Sequence, residues 1–537
     1  MITDRMIYNP LEDYEKKLKI AHTDKTTRFF EELVGKSRID IEENRHTVNE
    51  LAKYREQLTK LKRKRNWLRF LRVLLCITIL LIPLVILKLT PRIRELKADI
   101  DESEHRTEEL LQQANNQMLP LNKLFNAWDS IKLIEDVMPL ISFDDTFTIE
   151  QEQDMKQNYD FRETREEEMS TLDTLAGNFN GNPFLFEKRL VHEMGTETYH
   201  GYRTITWTET YRDSNGKLQT RTRSQTLHAT VTKPKPFYQE QVVLHYGAQG
   251  GPELCFSRDA SHLEQKSEQQ IERIVKRGEK KLQRLNEKAI RENDDFMSMA
   301  NSDFEVLFDA LDRTNEVQYR TLFTPLAQTN MVDLILSKIG YGDDFHFIKR
   351  NRMNTILTKH SQSRALLLPT ESYTSYSYDV IRDNFISKNE EYFKAVFFDL
   401  APLLAIPMYQ ERPVHSLDPI PKTPQLFSLR ECEVLANKVN QSHLVHPDTK
   451  TPYILKSAYL NSLEGCDETR ITAYSYDMED RVDIVSVYGG DGRYHNVSVE
   501  WQEYLPLTAE NDFFVTYLDV AKKKSTLASR NGLCIYN

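Results

Sequence analysis

The sequence predicts an α+β protein: a helical, coiled-coil N-terminal region with one transmembrane helix, an antiparallel β-meander, and a mixed α+β C-terminal region. Three observations predict it. An uncharged apolar run from Val73 to Leu87 lies between charged segments whose apolar residues recur every three or four positions. Thr and aromatic residues alternate with others on both sides of the turn residues Asp213-Ser-Asn-Gly216. Beyond Pro421 a second glycine-rich hairpin signal appears at Tyr488-Gly-Gly-Asp-Gly-Arg493.

Composition bounds the classes. At 537 residues, 28% charged and 39% apolar, the chain has room for two or three domains and does not read as a multi-span transporter. The net charge of −10 supplies no basic footprint, so no nucleic-acid partner is expected. Cys76, Cys255, Cys432, Cys466 and Cys534 are too scattered for a disulfide framework.

Residues 1–66 form the N-terminal helical region, in which Leu51, Tyr54, Leu58 and Leu61 follow a coiled-coil spacing. Residues 67–90 are the expected transmembrane helix. Its twelve Leu, Ile and Val side chains between Val73 and Leu87 contribute roughly −4 to −7 kcal/mol to insertion, and Pro83 offsets part of that. Those residues rise only about 22 Å. Spanning the roughly 30 Å hydrocarbon core needs the helix to extend from Leu68 to Leu89, with Arg69, Arg72 and Lys88 snorkelling. Trp67 stands at the first boundary, as interfacial aromatics do. Lys and Arg number nine over 53–72 and five over 88–107. The positive-inside rule then places the N-terminus in the cytoplasm and the C-terminal bulk outside a cell membrane.

Residues 91–177 are a coiled-coil stalk and shorter helices, with Ile93, Leu96, Ile100 and Leu110 continuing the seam. Such seams usually self-associate, which predicts a homo-oligomer; the alternative is an amphipathic helix that packs on its own domain. The acidic stretch Asp144 to Glu168 reads as a spacer or solvated helix. Residues 178–257 are the β-meander. Tyr202, Thr204, Thr206, Thr208 and Thr210 share one face and Ile205, Trp207 and Glu209 the other. The return strand from Leu218 is expected to stop at Pro234 and Pro236, before another strand at Phe237–Tyr246. Arg203, Arg212, Arg221 and Arg223 read either as a basic patch or as a solvated strand face.

Residues 258–420 are a mixed region that opens on an amphipathic helix from His262 to Glu292. Phe304-Glu-Val-Leu-Phe308 and Tyr319-Arg-Thr-Leu-Phe-Thr-Pro-Leu326 lead into a helix over 328–338, and Phe345–Ile348 reads as a strand. On these residues the chain resembles a group of uncharacterised bacterial membrane-anchored proteins, which have a coiled-coil-flanked anchor and a small β-rich domain. The resemblance covers roughly residues 184–348. It implies a bacterial, membrane-associated protein and no particular reaction. Ala395 to Met408 is apolar, but Asp399, Pro402 and Pro407 mark it as core. Residues 421–537 are a C-terminal α+β region with strands at Arg481–Val487 and Tyr494–Trp501 and a tail, Phe513 to Ala521, that ends helical or frayed.

No arrangement of residues marks catalysis. His443-x-x-His446 with Cys432 lacks the paired ligands of a zinc site, the glycines near 490 lack a phosphate-loop order, and no hydrolase, zincin or kinase signature is present. No catalytic, cofactor-binding or metal-binding residue and no cofactor is therefore assigned. Tyr373, Tyr376 and Tyr378 read as an exposed patch or as ordinary packing. The sequence supports a membrane-anchored, non-enzymatic scaffold or interaction protein, with the lipid bilayer and an unknown protein as partners. The alternative is an anchored receptor or adhesin whose head binds a polymer or protein.

Overall fold

A charged helix with one apolar stripe hides that stripe only by finding a second one, and the N-terminal helices do this within the chain. The computed structural model describes residues 6–76, 88–144, 146–162, 168–212, 214, 216–292, 296–413, 425–439, 443–463, 466–517 and 533–536. From the start, α1 (Pro10–Asp13) runs through a π turn into α2 (Lys19–Ser37), followed by α3 (Ile41–Cys76), α4 (Thr90–Asn122) and α5 (Asp129–Val137). Then come β1 (Ile141–Asp144), α6 (Ile149–Tyr159), β2 (Met169–Phe179), β3 (Asn182–Arg212), β4 (Leu218–Gly247) and β5 (Cys255–Arg258). Helices α7 (Glu268–Glu292), α8 (Ser302–Phe308), α9 (Glu316–Leu322) and α10 (Pro325–Leu336) precede β6 (Phe345–Arg350) and β7 (Met353–Thr358). The chain closes with α11 (Tyr378–Leu404), α12 (Leu429–Lys438), β8 (Ile454–Leu463), β9 (Cys466–Tyr488), β10 (Tyr494–Tyr517) and β11 (Leu533–Tyr536).

Two compact units result. The helical unit comprises Leu11–Pro139 and Leu367–Phe398. In it α3 and α4 run antiparallel: Asn44 donates to Gln117 at 3.2 Å and Lys62 pairs with Glu104 at 2.8 Å. Ile93, Leu96, Ile100 and Leu110 are buried along α4, as is Leu51 on α3. The stripe expected to drive self-association is thus occupied inside the chain. Tyr373 is buried against Phe125 and Phe385, and the Tyr376 hydroxyl accepts from Arg55, so the tyrosine group is packing.

The expected transmembrane helix is corrected. Among the described residues no helix is long and apolar enough to cross a membrane, and residues 77–87 lie outside them. A single pass would set α3 and α4 on opposite sides of a bilayer, whereas their side chains meet along an antiparallel pair. The single-pass cell-membrane location and its orientation, which rested on that helix, have no support among the described residues.

The second unit comprises Met6–Pro10, Leu140–Leu366 and Asp399–Asn537. Its larger sheet is antiparallel in the order β1-β2-β3-β4-β7-β6-β5, and the smaller runs β11-β10-β9-β8. Strands β3 and β4 pair along their whole length, from Phe184↔Tyr246 to Arg212↔Leu218. Pro234 and Pro236 do not stop β4, because its other edge meets β7 only from Val243 to Gly247 and needs no donor at the prolines. The distal ribbon lays Ile205, Leu227 and Ala229 against Val497 and Val499 of β10. Gly201 is required there: a Cβ would stand 2.3 Å from the Ser498 carbonyl oxygen. The tail from Phe513, expected to end helical or frayed, is instead strand to Tyr517, paired with β9 and β11, while residues 518–521 lie outside the described ones. Beside β5 and β6, Phe304, Phe308, Tyr319 and Phe323 form one ring cluster with Phe256 and Phe347. Thr324 caps α10 by accepting from Ala327, with Pro325 in its first turn. The motifs that carried the resemblance therefore build core and a helix start.

Candidate functional site

The second unit gathers titratable side chains on one face of its larger sheet. Leu185 on β3 stands opposite His245 on β4, so Glu187 is the diagonal neighbour of His245 on the same face, with Arg189 next along. Thr355 of β7 faces His245, and Ile348 of β6 faces Thr355, which brings Arg350 into the same row two residues on. Over this face pass Asp160, Phe161 and Arg162, where the chain leaves α6 through a left-handed Asp160 (φ 59°). Asp160, Phe161, Arg162, Arg189, His245, Ile348, Arg350 and Thr355 line a cavity of about 260 Å³ with Met169, Asn351 and Met353.

The wall is held by a buried ion network. The Arg430 guanidinium of α12 donates to Glu152 at 2.5 Å and lies 3.4 Å from Glu187. Glu187 also accepts from the Thr171 hydroxyl at 2.8 Å. Burial alone would raise the Glu187 pKa; the charge of Arg430, helped by His245 and Arg189, outweighs it and holds the carboxyl well below the usual range. The His245 pKa is also lowered, here by burial, against the pull of Glu187. Its Nε2 lies 3.4 Å from Glu187 and its Nδ1 3.4 Å from the Thr355 hydroxyl, while Phe161 meets the ring edge-on at 5.1 Å. Nδ1 is engaged by the Thr355 hydroxyl, whereas Nε2 is buried without a hydrogen-bond partner among the described residues.

On the other side of Glu187 lies a larger cavity of about 590 Å³, lined among others by Glu152, Lys156, Arg430, Glu433 and Lys456. Its charges answer one another: Glu433 pairs with Lys456 at 2.9 Å and accepts the Thr171 amide at 2.9 Å, and Lys156 approaches Glu152 at 3.4 Å. A third cluster is saturated. Asp399 accepts from Thr358 at 2.5 Å, Ser361 at 2.8 Å and Arg364 at 2.6 Å, with His360 at 3.3 Å. The first cavity presents an excess of cationic groups, Arg162, Arg189 and Arg350 against Asp160, and so does a cavity of about 560 Å³ along α7, with Arg277, Lys280, Lys281, Arg284, Lys288 and Arg291 against Glu287.

The candidates read from sequence do not assemble into a site. Cys432 is buried beside Thr469, and His446 lies 3.7 Å from Asp448. Among the described residues there is no group of three or more side chains able to hold a metal ion. The arginines of the β-ribbon are dispersed, Arg223 paired with Glu209 at 2.6 Å and Arg203 donating to the Asn496 carbonyl at 2.7 Å. The acidic run near Glu168 falls largely in residues 163–167, outside the described ones. Arg189, His245 and Arg350 gave no sequence signal, because strands far apart in the chain bring them together. No protein-family model, curated protein or solved structure matches the chain.

Proposed function

We propose that this chain is a non-enzymatic binding protein whose β-rich unit takes up an anionic group, such as the carboxylate or phosphate of a larger partner. The observation that supports it is the cavity of about 260 Å³ that three arginines line with Asn351 and Thr355. Guanidinium groups bind carboxylate and phosphate in a forked geometry, and a half-enclosed setting strengthens such bonds. Arg430 approaches the buried Glu187 carboxylate at 3.4 Å and Arg189 donates to Gln241 at 3.5 Å, while Arg162 and Arg350 are exposed at the cavity.

Titration calorimetry of the full chain with inorganic phosphate and with citrate, at low salt, tests this. Binding of at least one of the two is expected, weakening with added salt. Loss of one charge-assisted pair costs about 1.5–3 kcal/mol, so Arg189→Gln and Arg350→Gln should each weaken it about tenfold or more. Absence of binding by both anions, or equal binding by both variants, overturns the reading.

A further inference from the structure

We propose that His200 and His228 form a surface site for a transition-metal dication that favours imidazole, Zn²⁺ or Cu²⁺, on the outer face of the β3–β4 ribbon. The register pairs His200 with Thr230 and Tyr202 with His228, so the two histidines are diagonal neighbours on the face opposite Ile205 and Leu227. The His200 Nδ1 and His228 Nε2 atoms are 2.9 Å apart, and both side chains are exposed. Their rings are stacked at 12° with centroids 5.2 Å apart, and Tyr202 stacks on His228 at 4.9 Å, which limits how the second ring can turn. The backbone beneath is fixed, because the inner face of the ribbon is buried on Val497 and Val499 and Gly201 abuts the Ser498 backbone.

Two imidazole nitrogens on one tetrahedral Zn²⁺, each about 2.0–2.1 Å from the metal, lie about 3.3 Å apart. The observed pair reaches that by moving a few tenths of an ångström. Nearby residues of the same face are Thr198, Thr204, Thr226, Thr230 and Thr232, which crowd the site little and leave water to complete the coordination. With two protein ligands the site is exchangeable rather than structural, unlike the closed four-ligand sites that hold small folds together.

The test is Cu²⁺ and Zn²⁺ binding by the full chain, compared with His200→Gln, His228→Gln and, as a control at a separate pair, His443→Gln with His446→Gln. Competition against a chromophoric zinc indicator should show one Zn²⁺ equivalent that weakens about tenfold or more in either ribbon variant. It should be unchanged in the control. Electron paramagnetic resonance of the Cu²⁺-loaded chain should report two coordinated nitrogens in the parent and one in each ribbon variant. Because both histidines are exposed, circular dichroism of the metal-free variants should match the parent. Zn²⁺ affinity unaffected by either ribbon substitution means that the pair is only hydrogen-bonded and overturns the proposal. So does a Cu²⁺ spectrum without a two-nitrogen site.

Discussion

His22 makes the helical unit sensitive to acid. Its ring stacks on Phe393 with centroids 4.3 Å apart, and burial lowers its pKa to about 4. The unfolded chain takes up this proton near pH 6.5, and the folded chain does so only near pH 4. The folded state therefore loses stability as pH falls between those values, by roughly 3 kcal/mol from this group, and the loss levels off below the lower one. Replacing His22 with Leu should remove that share of the pH dependence; equal slopes for parent and variant in urea unfolding at pH 7 and pH 4.5 would refute it. At this scale the sequence was readable only in part. Asp399 and Pro402 showed that the apolar segment after Ala395 is core, and Asp399 is indeed buried among three donors. His200 and His228 were within reach of sequence reasoning too. Asn-Gly in the sequence is a hairpin signal that implies a register, and Tyr202 was already placed on the Thr-rich face that they share. The cavity lined by Arg162, Arg189 and Arg350 was not, since it is assembled from five strands and a loop.

At the scale of elements, periodicity located the helices but not their partners. The stripe on α4 is the same whether it packs on a second copy or on α3, and burial of Leu96 at 3% and Ile100 at 1% shows that α3 takes it. Each such side chain contributes about 1.5–3 kcal/mol when fully buried. Leu96→Asp with Ile100→Asp places two unpaired carboxylates in that seam, a change expected to cost several kcal/mol. The double variant should lose helicity, melt earlier and become protease-sensitive around residues 90–122, with its mass in solution unchanged. A fall in oligomeric mass with the fold intact would instead return the stripe to intermolecular pairing. Strand lengths failed for a related reason. Prolines read as stops at 234 and 236, but a ribbon edge without a neighbour has no ladder bond for proline to break. The hairpin turns were legible because Gly216 and Gly492, at φ 76° and 79°, hold backbone angles that other residues rarely adopt.

For the whole molecule, the informative fact is that neither unit is a continuous stretch of chain. The helical unit draws its core from both Leu11–Pro139 and Leu367–Phe398. Tyr14 packs on Phe397 and Phe398 at 4.9 Å, Phe30 on Phe385 at 5.4 Å, and Phe125 on Tyr373 at 5.0 Å. Reading boundaries along the sequence cannot see this, because the segment that completes the helical core follows more than two hundred residues of the other unit. The consequence is testable. Expressed alone, Leu11–Pro139 would leave Tyr14, His22, Phe30 and Phe125 without the rings that cover them. At about 1.5–3 kcal/mol per large side chain, that loss is comparable to the 5–15 kcal/mol that separates folded from unfolded domains. The fragment should retain helix from α3 and α4 but lack a cooperative thermal transition and bind a hydrophobic dye. Joining residues 367–398 to its C-terminus through a flexible linker should restore the transition and abolish dye binding. A fragment that already melts cooperatively, at the temperature of the joined form, would mean that α11 adds little to the helical core.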